Sequence, residues 1–349
     1  MENLHVIQVA TGMIPIPPNG WGAVERIIWA YKDRLQRIGH LVDIKFVNQV
    51  DKSENSIVHT HIANLALDCK NRGIPYVFSL HDHHSEWYGK GSFVFNQNLE
   101  AIKGSVISFT HAEHLVEYFS ETDKLFYLPH GVDTEFFTPS EYFSDSRRHA
   151  LLMLANNGLA GNSGFDRKGF RFGIEAAKHL NLPITVVGTD NNLKFFEAHK
   201  DLLEYEKLNI VANNPSDEET RALYQNHTIF LHPSMLEAGH PNLTLLEAAS
   251  VCLPIVGTYK GSKEIKGLHI INDINTNEVI LGIEKTIADY DEIRNRMLAV
   301  RHEYDWTHVA NKLAFFYKYV LKVNDKYDSN RTKELYKLAY NETIKHVQI

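Results

Sequence analysis

Short apolar runs, rich in β-branched and aromatic residues, alternate along the chain with longer stretches whose apolar positions recur at helical spacing. In the first part, the runs predict buried strands at 5–10, 42–47, 56–60, 76–80, 105–110 and 125–128. Helical spacing over 23–38, ended by Gly39, predicts a helix between the first two. Such strand–helix–strand repetition predicts a parallel sheet with helices on both faces.

The same pattern restarts after Pro139 and a polar stretch at 140–149. Further strands are predicted at 150–155, 184–188, 208–212, 229–232, 255–258 and 269–271, with helices at 169–180, 217–225 and 243–251. We therefore expect an α/β protein of two doubly wound halves that face each other across a cleft. Ligands of such sheets bind beyond the carboxyl ends of the strands.

Composition narrows the class of protein. A length of 349 residues fits two domains, and a net charge of −7 provides no overall basic field for nucleic acid. Cys69 and Cys252 stand far apart in apolar segments, which predicts buried free thiols and a reducing compartment. Neither a basic-then-apolar start nor a run of 18 apolar residues is present, so we expect a cytoplasmic protein. The stretch at 322–349 is either a docked terminal helix or a peripheral contact with an anionic membrane.

The segment 231–258 carries the most informative chemistry. An apolar strand enters a short polar loop with Gly and Pro, then a helix, then another strand. Glu237 lies in the loop and Glu247 on the helix. A helix N-terminus binds anions, and a carboxylate accepts hydrogen bonds from a vicinal diol such as ribose. This combination suits a sugar diphosphate.

Three other segments allow more than one interpretation. Gly20 and Gly22, before the first predicted helix, either let the backbone approach a ligand or form an ordinary turn. The cations Arg167 and Lys168 oppose a helix dipole at its start, so a diphosphate leaving group explains them better than helix stability does. The run from His81 to His84 is either a metal cluster or a set of surface histidines on a loop.

In their order and spacing, these segments resemble the retaining nucleotide-sugar glycosyltransferases of the GT-B fold, family 4 (glycosyl transferases group 1). The resemblance extends to about residue 321 and rests on 17–26, 58–61, 129–139, 167–169, 233–247 and 252–258. It implies two Rossmann-like domains, an acceptor-side domain at 1–140 and a nucleotide-sugar domain at 141–305. Helices at 306–349 are expected to pack back on the first domain.

The resemblance also implies the site. The catalytic residues are expected to be His81, Lys168 and Glu237, with no metal and no cofactor. The donor would be bound by Gly20, Gly22, Arg167, Lys168, Ala238, Gly239, His240, Pro241, Asn242, Leu243 and Glu247. The chain departs from the family pattern twice. Nine residues, rather than seven, separate Glu237 from Glu247, and the Arg that the family places before this Lys is absent from 155–163.

The expected activity is transfer of a sugar, with retention of anomeric configuration, from a nucleotide diphosphate sugar to a hydroxyl of a glycan or glycolipid. The acceptor would be read by an aromatic-rich insertion at 83–98. The alternatives are a sugar-nucleotide epimerase or phosphorylase, a non-catalytic sugar-nucleotide-binding protein, and a transferase acting on a modified DNA base. The acidic composition disfavours the last. An Asp-x-Asp at Asp289 and Asp291 is interpreted as a solvated helix face.

Overall fold

The structure is a computed structural model of the 349-residue chain. It describes residues 3–20, 22–51, 56–81, 84–140, 149–155, 166–188, 191–212, 214–235, 242–261, 264–323, 330, 332–334 and 336–337. The chain forms an N-terminal unit, Met1–Gly131 with Asp305–Ile349, and a C-terminal unit, Val132–Tyr304. The first boundary between the two units follows Gly131, whereas the sequence predicted it after residue 140. A Cβ atom on Gly131 would lie 2.8 Å from the Trp306 Cα, so the chain leaves and re-enters the N-terminal unit at one point.

The N-terminal unit contains a parallel sheet in the order β2-β1-β3-β4-β5-β6. The strands are β1 (His5–Val9), β2 (Leu41–Lys45), β3 (Ile57–Thr60), β4 (Tyr76–Leu80), β5 (Ile107–Thr110) and β6 (Leu125–Tyr127). The helices are α1 (Ala23–Arg37), α2 (Ala63–Asn71), α3 (His84–Tyr88), α4 (Phe93–Gly104) and α5 (Glu113–Tyr118). Strands β3, β4 and β5 are buried at every position, as expected for parallel strands covered on both faces.

The C-terminal unit contains a second parallel sheet in the order β12-β11-β10-β7-β8-β9. Its strands are β7 (Leu151–Leu154), β8 (Ile184–Val187), β9 (Leu208–Val211), β10 (Ile229–His232), β11 (Ile255–Gly257) and β12 (Leu268–Ile270). Its helices are α6 (Phe170–His179), α7 (Asn191–Ala198), α8 (Asp217–Asn226), α9 (Leu243–Ser250), α10 (Thr276–Ala288) and α11 (Tyr290–Val300). The prediction of two doubly wound parallel α/β sheets is confirmed.

After the C-terminal unit, helix α12 (Trp306–Val323) packs against α1 in the N-terminal unit. Its aromatic face is buried, with Phe316 and Tyr317 at 1% and 0% exposure. Further on, the Tyr336 hydroxyl donates a 2.8 Å hydrogen bond to the Tyr127 carbonyl, and its ring lies 5.2 Å from that of Phe126. The terminal segment is therefore docked at this position. Within the described residues, no helix combines the length and apolarity that a bilayer crossing requires.

Candidate functional site

Five histidines meet at the carboxyl edge of the N-terminal sheet, and we call them the histidine cluster. His59 lies in β3, and the others follow the ends of β3, β4, β5 and β6: His61, His81, His111 and His130. Their rings stack in a continuous series, with centroid distances from 4.0 to 5.9 Å. Because neighbouring parallel strands end at the same edge, the strand order brings these residues together.

Hydrogen bonds join part of the histidine cluster into one network. His61 Nδ1 lies 2.8 Å from His81 Nε2, and His61 Nε2 lies 2.7 Å from the carboxamide oxygen of Gln8. The Gln8 amide nitrogen donates to the Tyr317 hydroxyl over 3.3 Å, and that hydroxyl lies 2.6 Å from His59 Nδ1. Helix α12 thus supplies a polar group to the inside of the N-terminal unit.

Burial keeps the members of this network uncharged. Loss of water contact lowers the pKa of His59 and of His61 well below the usual histidine value, with smaller contributions from neighbouring histidines. The same cause lowers the pKa of His81 to about 3. At neutral pH these rings therefore act through hydrogen bonds and lone pairs rather than through positive charge.

The metal interpretation of His81 requires partners that differ from those considered in the sequence. One ligand nitrogen from each of His81, His111 and His130 lies within 4.8 Å of the others, which is close enough for a shared metal ion on distance alone. However, the His111 and His130 rings stack at 4.0 Å with 18° between their planes. Imidazole lone pairs lie in the ring plane, so stacked rings do not direct them at one ion at the 2.0–2.1 Å that zinc requires. In this arrangement the three rings do not fit a metal. Asp82 and His83 lie outside the described residues.

The Asp-x-Asp of the C-terminal unit is exposed. Asp289 lies between α10 and α11, and Asp291 is in the first turn of α11.

The loop before α1 is closely packed at Gly22, which has a φ of 137°. L-residues rarely adopt this φ, and a Cβ atom there would also lie 2.2 Å from the end of the Ile14 side chain, so the position favours glycine. The Gly20 carbonyl accepts a 2.6 Å hydrogen bond from Arg26. In the first turn of α1, the buried Glu25 carboxylate accepts a hydrogen bond from the Thr11 hydroxyl. A buried carboxylate accepts hydrogen bonds from hydroxyl groups and disfavours a nearby anion.

Lys168 is a buried cation, with 7% exposure, in the segment that precedes α6. This segment is joined to the chain after β10, because the Met235 amide donates to the Arg167 carbonyl over 2.9 Å. Gly169 has a φ of 69°, and a Cβ there would lie 2.2 Å from the Pro233 carbonyl oxygen. The close contact that only glycine permits therefore places Lys168 at the carboxyl end of β10.

Helix α6 has its own acidic partner. The Asp166 carboxylate accepts hydrogen bonds from the amides of Phe170 and Arg171, at 3.1 and 2.8 Å. Burial raises the pKa of Asp166, and the amide bonds oppose that rise. Since Asp166 occupies these two amides, they are not available to a phosphate near Lys168.

Glu247 lies on α9 and is 7% exposed. Its Oε2 accepts a 3.0 Å hydrogen bond from the Tyr224 hydroxyl on α8. Helix α9 begins at Leu243, and in the described structure its N-cap residue, Asn242, makes no side-chain capping bond. The Asn242 carboxamide nitrogen instead lies 3.0 Å from His232 Nε2. The Asn242 side chain therefore does not cap the N–H groups at the start of α9. An anion site at a helix start requires such uncapped N–H groups.

Five predicted residues lie outside the described residues: Glu237, Ala238, Gly239, His240 and Pro241. The structure describes the chain up to Met235 and again from Asn242. Their assignments remain predictions.

Sequence reasoning assigned no site role to Gln8, His59, His61, Tyr224 or Tyr317, although 58–61 is one of the segments of the family resemblance. A signal was present for the first three, because each is a polar residue in or next to an apolar strand. Buried polar groups need hydrogen-bond partners, so such residues indicate an internal network. The partners themselves could not be identified before the strand order was known.

Comparisons with known proteins find similarity to glycosyltransferases. Residues 162–297 match the family model described as glycosyl transferases group 1, a region that includes Lys168 and Glu247. The chain is 24% identical to the putative glycosyltransferase EpsF of Bacillus subtilis (strain 168), over 72% of this chain and 71% of EpsF.

Solved structures show the same architecture. Sucrose-phosphate synthase from Thermosynechococcus elongatus has a TM-score of 0.72 at 12% identity, covering 92% of this chain and 100% of that chain. A glycosyltransferase from Rickettsia africae ESF-5 has a TM-score of 0.67 at 16% identity, covering 92% and 100%. HepE of Anabaena, in complex with UDP and glucose, has a TM-score of 0.65 at 12% identity, covering 90% and 98%. At these identities the likeness shows the fold, which is the GT-B fold expected from the sequence. Together with the family match, it supports a glycosyltransferase.

Proposed function

We propose that this protein is a retaining glycosyltransferase that moves a hexosyl-type group from a nucleotide diphosphate sugar to a hydroxyl of a glycan or glycolipid. One observation carries the proposal. Within the region that matches the family, a buried lysine lies at the carboxyl end of β10, where doubly wound sheets bind nucleotides, and a buried, hydrogen-bonded carboxylate lies on α9, the next helix along the chain.

The C-terminal unit supplies the groups that a nucleotide diphosphate needs. Glu247 would accept hydrogen bonds from the ribose hydroxyls, and Tyr224 restrains its carboxylate. Lys168 and the start of α9 would bind the diphosphate, together with Arg167 and the loop at 236–241. HepE was solved with UDP and with UDP-glucose, so a uridine diphosphate sugar is the first donor to test.

The proposed chemistry depends on electrostatic stabilisation. As the bond between the anomeric carbon and the phosphate oxygen breaks, negative charge grows on the diphosphate, and a fixed lysine stabilises it. The resemblance supports attack from the same face, with the leaving phosphate oxygen accepting the proton of the acceptor hydroxyl. Glu237 would hold a hydroxyl of the transferred sugar, and His81 would contact the same sugar as a neutral ring. Because Lys168 supplies the charge, we expect transfer to continue in excess EDTA.

Exposed aromatic rings offer a surface for the acceptor. Trp87, Tyr88 and Phe93 are 49%, 63% and 77% exposed, on and just after α3. Aromatic faces pack against the apolar faces of sugar rings and against lipid chains. A glycan or glycolipid fits this surface better than nucleic acid does, because the chain carries a net charge of −7.

The cysteines and the proposed acceptor support a location for the protein. Cys69 and Cys252 are buried free thiols, which fits a reducing compartment such as the cytoplasm. A glycolipid acceptor would bring the protein into peripheral contact with a membrane.

The test is a direct assay. The purified protein is incubated with UDP-, GDP- and ADP-sugars and a panel of glycan and glycolipid acceptors, and the anomeric linkage of any product is determined by NMR. Retained configuration supports the proposal, whereas an inverted linkage contradicts the mechanism. Conversion of the donor without an acceptor would indicate an epimerase, and glycoside cleavage by phosphate a phosphorylase. A nucleotide-dependent rise in melting temperature without turnover would indicate a binding protein.

A further inference from the structure

We propose that Gln8 and His61 fix the tautomer of His81, so that His81 presents a bare Nδ1 lone pair to the substrate and selects a hydrogen-bond donor there. This inference rests on the proposed function, because it takes the partner of His81 to be the transferred sugar. The chemical class that it assigns to the partner group is a hydroxyl or an amide N–H, not a carboxylate.

The direction of the network is set at Gln8, which is fully buried. Its amide nitrogen donates to the Tyr317 hydroxyl, so its carbonyl oxygen faces His61 Nε2 at 2.7 Å. A carbonyl oxygen can only accept. The proton in this bond therefore belongs to His61, on Nε2.

The orientation of Gln8 also sets the donors and acceptors of a second branch of the network. The Tyr317 hydroxyl has a single proton, and it accepts from Gln8, so it donates that proton to His59 Nδ1 at 2.6 Å. His59 is neutral, and its remaining proton lies on Nε2, which donates to the Ser79 hydroxyl oxygen over 2.8 Å. Each bond then has one donor and one acceptor, as a buried network requires.

The position of the proton on His61 determines the position of the proton on His81. A neutral imidazole carries one proton, so His61 Nδ1 is an acceptor. His81 Nε2, at 2.8 Å, must donate to it. Since His81 is also neutral, its Nδ1 carries no proton. This Nδ1 atom is buried and has no hydrogen-bond partner among the residues that the structure describes.

A buried acceptor without a partner favours a ligand that donates. A sugar hydroxyl placed against His81 Nδ1 would complete the network, because a buried polar group left unpaired is costly. A carboxylate at the same position, as in a uronic acid, would set two acceptors against each other. The neutral ring offers no charge to offset that repulsion. Gln8 and His61 are therefore positioning residues that determine which substituent the transferred sugar can present at this contact.

The tautomer can be measured without any substrate. In protein labelled with ¹⁵N-histidine, long-range ¹H–¹⁵N spectra separate protonated from bare ring nitrogens, and His81→Gln identifies the His81 signals. We expect a protonated Nε2 and a bare Nδ1 in the wild-type protein. A protonated Nδ1 would overturn the inference and would leave the proposed glycosyl transfer intact. Absence of transfer with the expected tautomer would contradict the proposed function alone.

Variants then test whether Gln8 acts on His81 through His61. Gln8→Met removes the acceptor for His61, whereas Ser79→Ala removes the partner of His59 and leaves the Gln8, His61 and His81 side chains unchanged. We expect the His81 tautomer to become mixed in Gln8→Met and to be preserved in Ser79→Ala. With an active donor, kcat should fall roughly tenfold in Gln8→Met while KM for the nucleotide sugar is unchanged. Equal His81 tautomers in the two variants would contradict the inference.

Discussion

The Tyr224 hydroxyl donates a 3.0 Å hydrogen bond to Oε2 of Glu247, and this bond joins helix α8 to helix α9. Both side chains are buried, at 1% and 7% exposure. The Tyr224 hydroxyl also lies 3.3 Å from the Thr244 carbonyl oxygen, so its single proton is shared and restrains the carboxylate without fixing it. If Glu247 binds the ribose of the donor, Tyr224 acts on donor affinity although it is not expected to contact the donor.

This relationship predicts an order of effects on donor binding. Glu247→Gln should weaken binding of the nucleotide by about 2 kcal/mol, or roughly 30-fold, because a charged acceptor is lost. Tyr224→Phe should cost about 1 kcal/mol, or roughly fivefold. Isothermal titration calorimetry measures both, with Glu218→Gln, an exposed carboxylate on α8, as the control. Equal affinities in all three variants would remove Glu247 from the nucleotide site.

Lys168 is expected to act on turnover more than on binding. Lys168→Gln should lower kcat by roughly 10²–10³, the loss seen when a group that stabilises developing charge is removed. The nucleotide dissociation constant should change far less. The matched control is Lys178→Gln, an exposed lysine at the other end of α6, and melting temperatures of both variants check folding. A Lys168→Gln enzyme with wild-type kcat would exclude Lys168 as the stabilising group.

The buried histidines predict the direction of the pH dependence of stability. Burial lowers the pKa of His59, His61 and His81, the last to about 3. In the unfolded chain a histidine has a pKa of about 6.5. Below about pH 6.5 the unfolded state binds more protons, so the free energy of unfolding should decrease as pH falls. Each histidine contributes at most about 1.4 kcal/mol per pH unit. Urea unfolding between pH 8 and 5 measures the slope.

A histidine variant separates the contribution of the buried histidines from other causes of lower stability in acid. His81→Gln should make the slope shallower, because one titrating group is removed, whereas His179→Gln, an exposed histidine at the end of α6, should not. An unchanged slope in His81→Gln would show that His81 is not held neutral by the fold.

Two glycines with similar backbone strain test the close contact beside Lys168. Gly169 and Gly39 have φ values of 69° and 93°. A Cβ at Gly39 meets nothing within 4 Å among the described residues, but at Gly169 it would lie 2.2 Å from the Pro233 oxygen. Gly39→Ala should therefore lower stability by about 1 kcal/mol, and Gly169→Ala by clearly more. Chemical denaturation compares them, and equal losses would contradict the packing described for Gly169.

The exposed aromatics should affect the acceptor and not the donor. We expect Phe93→Ala and Trp87→Ala to raise the acceptor KM several-fold, since each ring contributes packing of about 1 kcal/mol. KM for the donor should remain unchanged. Phe46→Ala, another half-exposed ring of the N-terminal unit, is the control. If Phe46→Ala has the same effect, the acceptor surface does not lie at α3 and α4.

Much of the architecture could be predicted from local pattern. A parallel strand covered on both faces is a continuous apolar run, so β4 and β10 were located to the residue and the other strands to within a few residues. Helix α6 begins at Phe170, one residue later than predicted, because Gly169 adopts a left-handed conformation against Pro233. Lys168 and Glu247 could also be singled out from local pattern. Each lies in its own strand–loop–helix segment, and its position within that segment can be recognised without the rest of the fold.

The sequence alone therefore determined the fold class, the strands and the residues whose chemistry is local. Only the tertiary structure decided which side chains meet. Gln8 and Tyr317, 309 positions apart, share a hydrogen bond because α12 returns to the N-terminal unit. His61 and His81 meet because β3 and β4 are neighbours in the sheet. Apolar periodicity encodes burial, which is a property of one segment. A hydrogen bond between segments depends on strand order and register, which arise only when all segments pack together.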